Sequence, residues 1–157
     1  MKRLIVILML FCSAVVSAQA QQYDVCDSLY TVSYSRFMTA RQYAMIGNYQ
    51  KADELYSQCI EICSKLNDED SLGTMCYAAM ELAEVKAYVG RFEEAHDYLA
   101  MLVNYYGSHQ LMETIDFVNL LCHAVTVLSL EEDYEESCNI CKQALDIIPH
   151  IEDINPK

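Results

Sequence analysis

The sequence predicts an all-α protein, an α-solenoid of three antiparallel helix pairs stacked in series. Three observations carry this expectation. Apolar residues recur at steps of three and four along most of the chain, which places them on one face of a helix, while the alternation of strands is almost absent. Glycine is scarce, with four in the chain, and both prolines lie near the C-terminus, so nothing breaks the helices internally. Finally, one short pattern returns three times at intervals of about 42–43 residues, the signature of a repeat architecture.

Taken in order, residues 1–20 have the layout of a secretory signal peptide. Lys2 and Arg3 form the positive end, Leu4 to Val16 the apolar run, and Ser17-Ala18-Gln19-Ala20 a small-residue cleavage site, with cleavage expected after Ala20. The run is short for a bilayer span, and Cys12 follows the bulky Phe11 where a lipid-attachment site wants a small residue. An exported protein is therefore expected, in a bacterial periplasm or secreted, with no membrane association after cleavage. The later apolar stretch from Phe117 to Leu130 is interrupted by Asn119, His123, Thr126 and Ser129. Cleavage removes two of the ten basic residues and none of the 23 acidic ones. That balance disfavours nucleic acid and anionic lipid, both of which need basic patches.

The remainder, 21–157, is expected to form one repeat domain with helices over 25–46, 49–66, 71–89, 92–106, 109–130 and 134–148. These pair as repeats 25–66, 71–106 and 109–148. One stripe runs Ala52, Leu55, Tyr56, Cys59, Ile60, Cys63, Leu66; a second runs Phe92, Ala95, Leu99, Leu102, Val103, Tyr106; a third runs Leu111, Ile115, Val118, Leu121, Cys122, Val125, Leu128. Gly47-Asn48, Gly90-Arg91 and Glu132-Asp133 mark the turn inside each pair. Polar connections fall at 67–71 and at Gly107-Ser108, where the glycine suits a helix C-terminus and the serine the next N-cap.

The turns align residue by residue. Gly47-Asn48-Tyr49-Gln50-Lys51-Ala52 matches Gly90-Arg91-Phe92-Glu93-Glu94-Ala95 and Glu132-Asp133-Tyr134-Glu135-Glu136-Ser137. A small residue thus recurs at 52, 95 and 137. Apolar residues follow four later (Tyr56, Leu99, Cys141) and three beyond that (Cys59, Leu102, Ala144). This pattern resembles the turn and second helix of a tetratricopeptide repeat. Pro149 also stands where that family often places its proline. The resemblance covers nearly all of the chain after the leader but is strong only in the second helices: Arg36, Ala79 and Leu121 replace the family's usual first-helix aromatic, and the period exceeds the usual 34. It looks like the long-repeat variant found in exported bacterial sensor and regulator proteins. HEAT- and armadillo-type repeats share the period but do not require the turn pattern.

The resemblance implies a protein or peptide partner held in a groove lined by the first helix of each repeat. Carried onto this chain, groove positions are Tyr34, Phe37, Arg41 and Met45; then Tyr77, Met80, Glu84 and Tyr88; then Asn119, Cys122 and Thr126. Aromatics with an arginine offer large contact area at low entropy cost, although such side chains also serve as ordinary interhelix packing. The family's Lys and Asn clamp for a C-terminal carboxylate is missing. Nothing polar caps the third pair, so an open end is expected, covered by a second copy in a homodimer, by a stable partner, or by later repeats of a longer protein.

Other chemistry is thinner. Of eight cysteines, Cys12 lies in the leader and Cys26, Cys59, Cys63, Cys76, Cys122, Cys138 and Cys141 beyond it. Cys59, Cys63, Cys122 and Cys141 sit on apolar stripes or at repeat apolar positions, where cysteine acts as a small hydrophobe. Cys138-x-x-Cys141 with Cys122 and His123 could bind zinc, but Cys122 and His123 point about 100° apart on a helix. The other histidines, His96, His109 and His150, form no ligand motif. The acidic clusters at 68–70, 131–133 and 135–136 suit helix starts. No catalytic motif, metal site or cofactor is expected. The function expected is an exported interaction module, with a thiol-rich metal or redox protein and the truncated sensory input region of a larger regulator as alternatives.

Overall fold

The computed structural model describes residues 25–66 and 68–151; the expected leader lies outside them. The described chain is helical throughout: α1 (25–45), α2 (Tyr49–Cys63), α3 (Glu69–Tyr88), α4 (Phe92–Ser108), α5 (Ile115–Leu130) and α6 (Tyr134–Ile147), then a 3₁₀ turn at Ile148–His150. Each helix packs on its neighbour in the chain, and α5 also packs on α3, so three antiparallel pairs stack in order.

The three turns inside the pairs are built alike. The N–H of Asn48 donates to the Tyr43 carbonyl at 2.9 Å, that of Arg91 to Lys86 at 2.8 Å, and that of Asp133 to Leu128 at 2.9 Å. This closure needs a left-handed residue just past the helix end. Gly47 (φ 76°) and Gly90 (φ 77°) supply it in the first two turns, but Glu132 (φ 67°) does so in the third. A side chain there costs about 1–2 kcal/mol, partly offset by glycine's greater unfolded-state entropy. Glu132→Gly is therefore expected to stabilise the chain by about 0.5–1 kcal/mol in equilibrium urea unfolding. A variant that unfolds at lower urea would contradict this account of the turn.

Asn48 and Asp133 also cap α2 and α6, accepting from the N–H of Lys51 and Glu136. Several boundaries shift from the sequence expectation, α2 ending at Cys63 rather than 66, and two of the shifts have a clear local cause. α3 starts at Glu69 rather than 71 because Asp68 caps it, taking the Ser71 N–H at 2.8 Å and the Ser71 hydroxyl at 2.7 Å. Those bonds, the backbone one first, hold the Asp68 carboxyl below its ordinary value. A depressed carboxylate stabilises above its unfolded pKa, and the contribution fades as acid protonates it. Asp68→Ala is thus expected to cost about 1 kcal/mol at neutral pH, the gap to the parent closing below about pH 4. A pH-independent difference between the two urea curves would rule out the cap as its cause.

The second correction concerns Gly107-Ser108, which is not the turn. α4 runs through both residues, Gln110 takes the left-handed conformation (φ 57°), and the Leu111 N–H donates to the Tyr106 carbonyl at 2.9 Å. The cap of α5 is Thr114, whose hydroxyl accepts from the Phe117 N–H, so α5 starts at Ile115 rather than 109.

Packing follows the repeat. Ala52, Ala95 and Ser137 are all buried where the two helices of a pair cross, and Ala40 and Ala83, twelve residues before the first two, are buried with them. In the third pair the Ser137 hydroxyl meets that of Ser129 at 3.1 Å. α3 is a wall between two cores. Ala78, Leu82 and Val85 join Phe37, Tyr56 and Cys59 on one side; Met80, Ala83 and Ala87 join Leu102, Phe117 and Leu121 on the other.

The cysteines divide differently from expectation. Cys59, Cys63 and Cys76 are buried, whereas Cys122 and Cys141, expected inside, are exposed with Cys138. α5 is apolar on several sides and buries Phe117, Leu120 and Val127 instead, turning Cys122 outward. α6 buries only Ser137 and Ala144.

Candidate functional site

The first helix of every pair sends side chains to one open face. On α3, Tyr77, Glu81, Glu84 and Tyr88 follow at steps of four, three and four, which keeps them in line along the helix. The same spacing on α1 gives Tyr34, Met38, Arg41 and Met45, and on α5 gives Asn119, His123 and Thr126. At one end of this face lies a cavity of about 320 Å³. Arg41, Ala44 and Met45 come from α1, Glu81, Glu84, Val85 and Tyr88 from α3, and His123 from α5. Tyr49 and Tyr56 of α2 close it from behind.

Polar side-chain contacts join the helices across the face. Arg41 Nε lies 3.1 Å from Glu81 Oε1, and its guanidinium sits 5.6 Å above the Phe37 ring. The other Glu81 oxygen accepts from the Tyr56 hydroxyl. Burial, reinforced by that carboxylate, keeps the Tyr56 phenol protonated far above its ordinary range. His123 Nδ1 stands 2.8 Å from Glu84 Oε1. The rings of Tyr49 and Tyr88 stack at 5.0 Å with 5° between planes, an offset arrangement aromatic pairs favour. Burial and then the nearby Glu84 raise the Tyr88 pKa. Around this polar floor, Met45 (86% exposed) and Tyr88 (47%) leave apolar surface uncovered.

The expected groove residues separate into three groups. Arg41, Met45, Glu84 and Tyr88 meet in the cavity. Tyr34, Tyr77 and Asn119 lie further along the same face. Tyr34 is exposed and stacks on Tyr30 at 6.2 Å. Tyr77 donates to Asp116 Oδ1 at 2.5 Å, which first, and burial second, raises its pKa. Phe37 and Met80 are corrections: both are core residues, Met80 fully so, because α1 and α3 rotate them against α2 and α5. Their places on the open face go to the next residues, Met38 and Glu81, and His123 likewise takes the line where Cys122 was expected. Glu81 and His123 were missed in the sequence, although a lone carboxylate between the core residues Met80 and Leu82 was a signal.

Comparison with protein-family models, curated proteins and solved structures returns no match. The chemistry of the face therefore rests on its own residues. Thiols take no part in it. Burial, then the neighbouring Cys63, pushes Cys59 up to about 12, and burial pushes Cys76 up to about 11. Both stay protonated and unreactive at neutral pH. Among the described residues no three His, Cys, Asp or Glu side chains converge as metal ligands.

Proposed function

We propose that this chain is an exported peptide-binding module of the tetratricopeptide kind, holding an extended or helical segment of a partner along the face of α1, α3 and α5. The observation that carries it is the convergence of side chains from the first helix of all three pairs on one open cavity. Arg41 with Glu81 and His123 with Glu84 form a polar floor, while Met45 and Tyr88 offer adaptable and aromatic contact area. Recognition then combines side-chain burial against these residues with hydrogen bonds to Glu84 and Arg41.

Selection from a displayed random-peptide library tests this directly. Peptides are expected to bind the purified protein, and Tyr88→Ala and Met45→Ala to weaken them tenfold or more while the unfolding free energy stays within about 1 kcal/mol of the parent's. The proposal fails if no peptide is enriched, or if enriched peptides bind both variants as tightly as the parent.

A further inference from the structure

Two lines of residues on successive second helices have different fates. On α2, Tyr49, Asp53, Tyr56, Ile60 and Cys63 face the next helix. Tyr49 stacks on Tyr88, Asp53 meets Lys86 at 2.7 Å, and Tyr56 bonds Glu81, all three partners on α3. The same positions on α4 do likewise toward α5, except Val103, which stays 40% exposed: Tyr106 packs on Phe117 at 5.8 Å, and His96 meets Glu131, just past its end, at 2.7 Å. On α6 the equivalent residues are Tyr134, Cys138, Cys141, Leu145 and Ile148. They are open to solvent, Tyr134 at 63%, Leu145 at 66% and Ile148 at 37%. An apolar stripe of four turns is thus built like two interfaces that neighbouring helices cover, Val103 apart, and no described residue covers it.

We propose that this stripe seats one amphipathic helix of a partner protein, antiparallel to α6, with small and medium apolar residues in its seam and basic residues on its flanks. The orientation follows from the filled interfaces, where Tyr49 near the start of α2 meets Tyr88 at the end of α3 and Tyr56 meets the earlier Glu81. The seam follows from the residues that cover α2 and α4: Ala78, Leu82 and Val85 on α3, and Leu120, Ala124 and Val127 on α5. The flanks follow from charge. Between 131 and 148 six exposed carboxylates stand against Lys142 alone, so a basic helix is attracted and an acidic one repelled.

A second copy fits poorly on both counts. The residues of α1 equivalent to that seam are Ser35, Thr39 and Gln42, which cannot fill an apolar stripe in head-to-tail stacking. Pairing α6 with α6 would bring the two carboxylate rims together.

Two exposed thiols at the centre of the stripe make the test direct. A displayed library of helical peptides with a randomised apolar seam, half flanked by lysine and half by glutamate, is selected on the purified protein. Lysine-flanked clones are expected to dominate and to slow alkylation of Cys138 and Cys141 at least tenfold at saturation. They should bind about tenfold more weakly in about 300 mM than in about 50 mM salt, and lose binding to Leu145→Glu, a substitution at an exposed site. Equal enrichment of glutamate-flanked clones, unchanged alkylation, or undiminished binding to Leu145→Glu would overturn the proposal. So would a concentration-dependent doubling of native mass that Leu145→Glu abolishes, since the occupant would then be a second copy.

Discussion

Tyr56→Ala is expected to destabilise the protein by about 3–5 kcal/mol, the cost of removing a large aromatic ring from a core that cannot close over the space. Tyr56 is fully buried, and its ring lies 6.1 Å from that of Phe37 on α1. Its hydroxyl reaches Glu81 on α3, so one side chain ties three helices together. Two further measurements separate the ring from the hydroxyl. Tyr56→Phe keeps the ring and is expected to cost only about 1–2 kcal/mol, because Glu81 retains Arg41. In stacked repeats each unit leans mainly on its neighbours, so amide protection should fall first in α1, α2 and α3 and least in α6. Equilibrium unfolding with hydrogen exchange on the three proteins checks both points. An alanine variant within 1 kcal/mol of the parent would mean that Tyr56 is not the keystone of the first core.

The helices and their pairing were legible because local chemistry and global packing agree there. A glycine needed for a left-handed turn at 47 and 90, and small residues needed for close approach at 52 and 95, have few other uses at those spacings. Gly107 misled because glycine also tolerates a helix interior at modest cost, and the left-handed position fell to Gln110 instead. The end of α4 is set by tertiary contact: Leu111 packs on the main core, and Thr114 then caps α5. The open face was legible as lines of residues but wrong by one position on each of α1, α3 and α5. Steps of three and of four both keep a helix face, so Phe37 or Met38, and Met80 or Glu81, satisfy the same pattern. The choice is made by the neighbouring helices, which bury eleven residues of α3 and leave only a narrow strip open. The exposure of Cys122 and Cys141 has a related cause. Position 141 is apolar in every repeat, but only a following helix would bury it.

The network around Lys86 should respond asymmetrically to loss of its two ends. Lys86 is buried on α3, its side chain 6% exposed, and it meets Asp53 of α2 at 2.7 Å and Glu94 of α4 at 3.2 Å. Arg91 also reaches Asp53, at 3.0 Å. Removing the acid strands an ammonium in a poorly solvated place, with a longer contact as its remaining partner. Removing the base leaves Asp53 its contact with the half-exposed Arg91. Asp53→Ala is therefore expected to cost about 2–3 kcal/mol, below the figure for a fully buried pair because the Asp53 side chain is 22% exposed. Lys86→Met, which keeps the volume and removes the charge, should cost less than about 1 kcal/mol. The combined variant should be more stable than Asp53→Ala alone, since the methionine leaves no charge to strand. A thermodynamic cycle from urea unfolding of the four proteins measures the coupling. If Lys86→Met proved the more damaging of the two, attraction within the pair, and not desolvation of the ammonium, would be the larger force at this junction of α2, α3 and α4.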